Sequence, residues 1–141
     1  MKTKKHKSIN NHGFSLIELI VVVLIIAIIS VAMTPQVVKW IGISKESVDA
    51  NNRAAIKSAV SVAVLDFLSD GYEVKTEGEY WIGGTTPFEA KVHATSQASG
   101  AGVTLDNYII EVMHGDYPAP QGGAPHFIVT VGINGTVTVT N

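Results

Sequence analysis

The sequence predicts an α+β fold in which one long N-terminal helix, transmembrane at first and then amphipathic, packs on a small C-terminal antiparallel sheet. Three observations carry this. Residues 13–33 form an apolar run with a single charge, Glu18. Apolar residues then recur at spacings of three and four from Ile56 to Leu68, which is one face of a helix. Residues 127–140 alternate apolar and small polar side chains around Asn134-Gly135, the pattern of a strand hairpin. A chain of 141 residues fits one domain plus the apolar helix.

The first element is a short basic leader, residues 1–13, with Lys2, Lys4, Lys5 and Lys7. It reads as unstructured. The apolar run follows at once. At ~1.5 Å per residue, the roughly 20 residues of 14–33 make a helix of ~30 Å, enough to cross a bilayer core. The positive-inside rule keeps the leader cytoplasmic and exports the rest. A secretory peptide is cut after its apolar core, at a small-x-small site. Here Thr34-Pro35-Gln36-Val37 follows the core, and the small residue, Gly13, precedes it. Glu18 would cost about 2.5–3.5 kcal/mol at the bilayer centre and less near an interface, so a charge kept there is a functional candidate. Ser15-x-x-Glu18 is also a capping box, with the acid in the first turn where the helix dipole favours it.

Gly13-Phe14-Ser15-Leu16-Ile17-Glu18 resembles the class III leader motif of type IV pilins (prepilins) and the related pseudopilins: basic leader, Gly, Phe, a Glu at the fifth position after the cut, and an unbroken apolar helix. The resemblance implies cleavage between Gly13 and Phe14 by a membrane prepilin peptidase and N-methylation of Phe14. It also implies packing of subunits, helix inward, into a homopolymeric filament on an inner-membrane assembly platform driven by a cytoplasmic ATPase. Glu18 would then set subunit register by pairing with the Phe14 ammonium of an incoming copy, since both charges leave lipid together. Pro35 corresponds to the family's helix-bend position; it lacks a donor and crowds the preceding turn. Gly42 is a second weak point, and no further Pro occurs before Pro87. The organisation expected is a cleaved leader (1–13), a transmembrane or filament-core helix (14–43) and a globular domain (44–141). Loss of the leader would leave six Lys+Arg against twelve Asp+Glu, a formal charge of −6, which does not favour nucleic acid as a partner. With no cysteine, the domain must hold without the disulfide many Gram-negative pilins carry.

The amphipathic stretch follows a polar segment, 44–49. Its stripe is Ile56, Ala59, Val60, Ala63, Val64, Phe67 and Leu68, with Arg53, Lys57, Ser58, Ser61 and Asp66 opposite. Asp70-Gly71 ends the helix, Gly71 suiting a left-handed C-terminal position. Residues 72–121 read as a connecting region. A short strand is expected at 80–82, closed by Gly83-Gly84, and a strand or helical turn at 91–94. Residues 96–102 read as a loop too weak to hold phosphate. Residues 108–113 alternate and are read as a strand with Tyr108, Ile110 and Val112 on one face. Residues 116–125 form a stiff turn-rich loop, and strands at 127–133 and 136–140 close the chain. A three-residue turn, Ile133-Asn134-Gly135, pairs Val131 with Val137 and Val129 with Val139. That register collects the valines on one face, which should pack on the helical stripe.

Several site-like features have plainer readings. Asn134-Gly135-Thr136 matches a glycosylation sequon, but the turn explains it. His6 and His12 have no companions at metal-ligand spacing, and His93, His114 and His126 are far apart. Asp66, Asp70 and Glu73 lie near the helix end as solvated acids, short of the oxygens calcium needs. No nucleophile–base arrangement emerges, so the chain is read as no enzyme, with no cofactor or metal.

The function expected is that of a structural type IV pilus subunit serving adhesion, twitching motility or DNA uptake. It would sit in the membrane as a single pass before assembly and in an extracellular filament afterwards, with lipid as its first partner. The alternatives are a pseudopilin of type II secretion or competence, or a bitopic anchor for a binding domain. Major secretion pseudopilins typically carry a C-terminal calcium loop, which no acidic cluster here announces, and competence pseudopilins tend to be shorter.

Overall fold

The computed structural model describes residues 13–84, 87–92, 94 and 103–141. Most of the leader, His93 and the 96–102 loop lie outside the described residues. In order, the elements are α1 (Leu16–Ser69), β1 (Gly78–Ile82), β2 (Phe88–Val92), α2 (Leu105–Met113), β3 (Phe127–Val131) and β4 (Val137–Thr140). The chain divides into two compact units, 1–40 and 41–141.

In the first unit every described residue is exposed. Its helix is rich in Val and Ile, which lose side-chain freedom in a helix in water. In lipid the helix is favoured for another reason: each backbone N–H and C=O must be satisfied within the segment. Pro35 lies inside α1, and the helical backbone continues on both sides of it. Just upstream, the Ser30 and Thr34 hydroxyls donate to the carbonyls of Ile26 and Ser30, each at 2.7 Å.

In the second unit, α1 buries Ile56, Val60, Ala63, Val64 and Phe67 along one stripe, as expected. Leu68, placed on that stripe by spacing, is 42 % exposed at its edge. The helix ends in a Schellman motif. Tyr72 N–H donates to Phe67 O (3.3 Å) and Gly71 N–H to Leu68 O (3.1 Å). Gly71 has φ +87°, the left-handed conformation such a stop needs and glycine adopts without penalty. The hydrophobic contact that accompanies this motif is present too, as Tyr72 stacks on Phe67 with ring centroids 5.1 Å apart.

The sheet is antiparallel throughout, in the order β2-β1-β3-β4. The β3–β4 register is the one the valine pattern demands: Val131 faces Val137 and Val129 faces Val139. Gly132 N–H donates to Thr136 O (2.9 Å), closing the three-residue turn. Val129, Val131 and Val137 join the helical stripe in one core, together with Tyr80, Ile82 and Phe127. The expected strand at 80–82 is β1, which begins earlier at Gly78, and of the 91–94 segment Lys91 and Val92 end β2.

One element is corrected. Residues 108–113 are not a strand; they are most of α2. Leu105, Ile109 and Met113, spaced by four, are its buried face. Tyr108 and Val112 pack beside them, while Ile110, inward in the strand reading, is 45 % exposed. The helix ends at His114, whose N–H donates to Ile110 O and Glu111 O.

The loop from 114 to 126 is held by a side chain that the sequence reading placed in a polar stretch. Asp49 of α1 is 1 % exposed. Its carboxylate accepts Gln121 N–H on Oδ1 (2.7 Å) and Gly122 N–H on Oδ2 (2.8 Å). Charge-assisted bonds of this kind are stronger than neutral ones. Removing the carboxylate orphans both donors. We therefore expect Asp49→Ala to lower the unfolding free energy by about 1–3 kcal/mol, with Asp49→Asn milder because one acceptor remains. Urea unfolding followed by circular dichroism checks this; unchanged midpoints in both variants would contradict it.

Candidate functional site

The site begins where α1 begins. Ser15 precedes the first helical residue and accepts Ile17 N–H on its hydroxyl at 3.3 Å. Glu18, in the first turn, reaches back so that Ser15 N–H donates to its Oε2 at 2.9 Å. Leu19 N–H donates to Ser15 O (3.2 Å), the first intrahelical bond. This is a variant of the capping box in which the Ser15 hydroxyl takes the N–H of Ile17 rather than of Glu18, with a carboxylate at the positive end of the helix dipole. Gly13 and Phe14 lie just before it, Phe14 82 % exposed. Downstream, α1 contains a window long and apolar enough to cross a membrane, none of it buried. A helix that is apolar all round and lacks cover suits lipid or a bundle of like helices.

Among the described residues the other sequence candidates do not form a second site. Asp66 and Asp70 line a shallow cavity of about 390 Å³ with Ser69, Tyr108, Glu111 and His114; Glu73 is not part of it. Tyr108 O–H donates to Asp70 Oδ2 at 2.6 Å, and that bond pushes the phenol up to about 12. Among the described residues no group of three His, Asp or Glu side chains is placed to hold a metal. His114 caps α2, and His126 stacks on Trp81 with ring centroids 3.9 Å apart. Lys91 lies 4.0 Å from the centroid of the same indole. The sequence reading did not foresee this cluster.

Two comparisons bear on the apolar helix and its start. Residues 9–34 match the family model of the prokaryotic N-terminal methylation motif. Over 134 residues the chain is 29 % identical to the type IV major fimbrial protein FimA of Dichelobacter nodosus, covering 90 % of this chain and 75 % of that protein. The chain carries the N-terminal methylation motif and is similar over most of its length to a type IV major fimbrial protein. No solved structure matches it. Its fold is the one such a chain calls for, a long N-terminal helix whose C-terminal part packs on an antiparallel four-stranded sheet. In this chain the capping box, rather than any cavity, is where sequence motif and local geometry coincide.

The Tyr108–Asp70 bond has a pH consequence. The folded phenol sits above its unfolded value of about 10, so its stabilisation is complete below pH ~10 and is lost as pH rises towards 12. Asp70→Asn removes the carboxylate and should return Tyr108 towards pH 10 in a phenolate absorbance titration. A Tyr108 transition unmoved in that variant would contradict the assignment.

Proposed function

We propose that the chain is a structural subunit of a type IV pilus. The observation that carries this is the capped start of α1, where a lone carboxylate sits one turn inside an uncovered apolar helix directly after Gly13-Phe14. Cleavage between Gly13 and Phe14 by a prepilin peptidase gives Phe14 a free amine, largely protonated at neutral pH, which is then N-methylated. Glu18 Oε2 is engaged by Ser15 N–H, which fixes the carboxylate and leaves Oε1 to accept the Phe14 ammonium of an incoming copy. A charge pair in lipid is far less costly than either charge alone, so only the register that joins them is tolerated.

The domains follow from the same reading: a cleaved leader (1–13), a membrane and filament-core helix (14–43), and a globular shell domain (44–141). Pro35, which removes one backbone donor inside α1, is the position where the helix bends or loosens on assembly. The subunit waits as a single-pass membrane protein and leaves lipid when it joins the extracellular filament. The assembly platform and its cytoplasmic ATPase supply the work, and the subunit performs no catalysis. The similarity to a major fimbrial protein favours a pilus over the shorter pseudopilus of a secretion or DNA-uptake system.

Glu18→Ala tests the pairing step. Processed subunit should accumulate in the membrane fraction while sheared surface filaments fall at least tenfold, the effect of losing about 1.4 kcal/mol or more at each docking. Parental filament yield from Glu18→Ala would remove the pairing mechanism. Long surface filaments seen by electron microscopy of the parent, against short periplasm-spanning ones, separate the pilus from the pseudopilus.

A further inference from the structure

The chain has two tryptophans, and their surroundings differ. Trp81, on β1, is half-buried. Its indole N–H donates to Glu79 Oε1 at 2.9 Å, and its ring carries the His126 imidazole at 3.9 Å and the Lys91 ammonium at 4.0 Å. Trp40 is 61 % exposed on α1, beside an exposed Lys39. An indole is amphipathic: its ring favours an apolar surround and its N–H a wet one.

The place of Trp40 along α1 says which surround meets both needs. Residues 19–38 are twenty in a row without a charge, bounded by Glu18 before them and Lys39 after. At about 1.5 Å per residue these twenty cover about 30 Å, the thickness of a bilayer core. Glu18 and Trp40 are about 33 Å apart along the axis, and about 31 Å apart across the membrane at an ordinary tilt of about 20°. With the carboxylate at one interface, the indole lies at the other. Inside the span the Ser30 and Thr34 hydroxyls are engaged by carbonyls one turn back. Gln36 precedes Lys39 by three residues and Trp40 by four, so the three share one side of the helix at the outer end of the span. The first compact unit also ends at Trp40.

A tryptophan next to a lysine suits a headgroup layer. The indole settles at headgroup depth. The lysine lays its stem along the acyl chains and lifts its ammonium to the phosphates. An apolar helix by itself slides along the bilayer normal at little cost per ångström. A carboxylate at one end and a Trp–Lys pair at the other oppose sliding in both directions.

We propose that Lys39 and Trp40 anchor α1 in the phosphate headgroup layer of the leaflet facing away from the cytoplasm, at the interface opposite Glu18. This rests on the membrane stage of the pilus reading and names its lipid contact.

Depth-dependent fluorescence quenching tests it on the full-length chain in phosphatidylcholine–phosphatidylglycerol vesicles. Trp81→Phe leaves Trp40 as the one tryptophan. Lipids brominated near the headgroup should quench it about twofold or more strongly than lipids brominated near the tail ends. Lys39→Leu should move the quenching towards the deep lipids, and Lys39→Arg should keep it shallow. A reference chain, Ile28→Trp with Trp40→Phe and Trp81→Phe, holds its indole at mid-span and should be quenched best by the deep lipids. If the reference behaves so while Trp40 is quenched equally, more deeply or not at all, the anchor is overturned and the pilus reading stands. Shallow quenching that Lys39→Leu leaves unmoved overturns the paired anchor. A reference that deep bromine does not quench shows that α1 does not cross the bilayer; the membrane stage then falls, and the anchor with it. Should Trp81→Phe spoil the fold, the difference in emission between the parent and Trp40→Phe is read by the same outcomes.

Discussion

The constraint on which the rest depends is an apolar helix whose large side chains no described residue buries. From Phe14 onward the large side chains of the first unit are exposed, Leu16 and Val31 each by 78 %. In water such a surface is unstable against any apolar alternative. A bilayer satisfies it, and so does a bundle of identical helices, because both remove the same area from water. Nothing in the apolar contacts distinguishes one height of insertion from another. In the proposed pairing a single charge does, since only one register would join it to its partner. The capping box gives that charge a fixed position before any partner arrives.

The folded unit solves the opposite problem. It is small and cysteine-free, so its stability rests on one core and a few well-made polar contacts. The stripe from Ile56 to Phe67 meets the valine face of β3 and β4, and Tyr80 of β1 is wholly buried, accepting Ala94 N–H on its hydroxyl at 3.0 Å. Burial, foremost, pushes that phenol well up, and its contact with Asp106 adds to the effect. Asp49 ties down a proline- and glycine-rich loop that offers little apolar surface of its own. Only one stripe of α1 is used in this core. Both flanks carry exposed apolar side chains, Leu65 and Leu68 on one and Val62 on the other.

The parts legible in the sequence are those where one arrangement alone satisfies the pattern. The β3–β4 register is of this kind, because a shift of one residue would send the valines to solvent. The α1 stop is another, since Asp70-Gly71 follows directly on the last buried turn. At 108–113 two periods coexist: Tyr108, Ile110 and Val112 alternate, while Leu105, Ile109 and Met113 recur every fourth residue. The choice depends on which set reaches the core, and that is decided by tertiary packing rather than by spacing. Asp49 was hidden for a similar reason. It lies on the buried stripe, seven residues before Ile56, yet its partners are backbone groups of a distant loop that no composition reveals. At the helix start, Ser15 and Glu18 are three residues apart and satisfy each other locally, so the capping geometry is readable without any fold.

The most direct measurement is mass spectrometry of the N-terminal peptide of subunits taken from sheared surface filaments. The account predicts a peptide that begins at Phe14 and carries one added methyl group. Filament subunits that still begin at Met1 would contradict it, because an uncut leader leaves no Phe14 amine to meet Glu18.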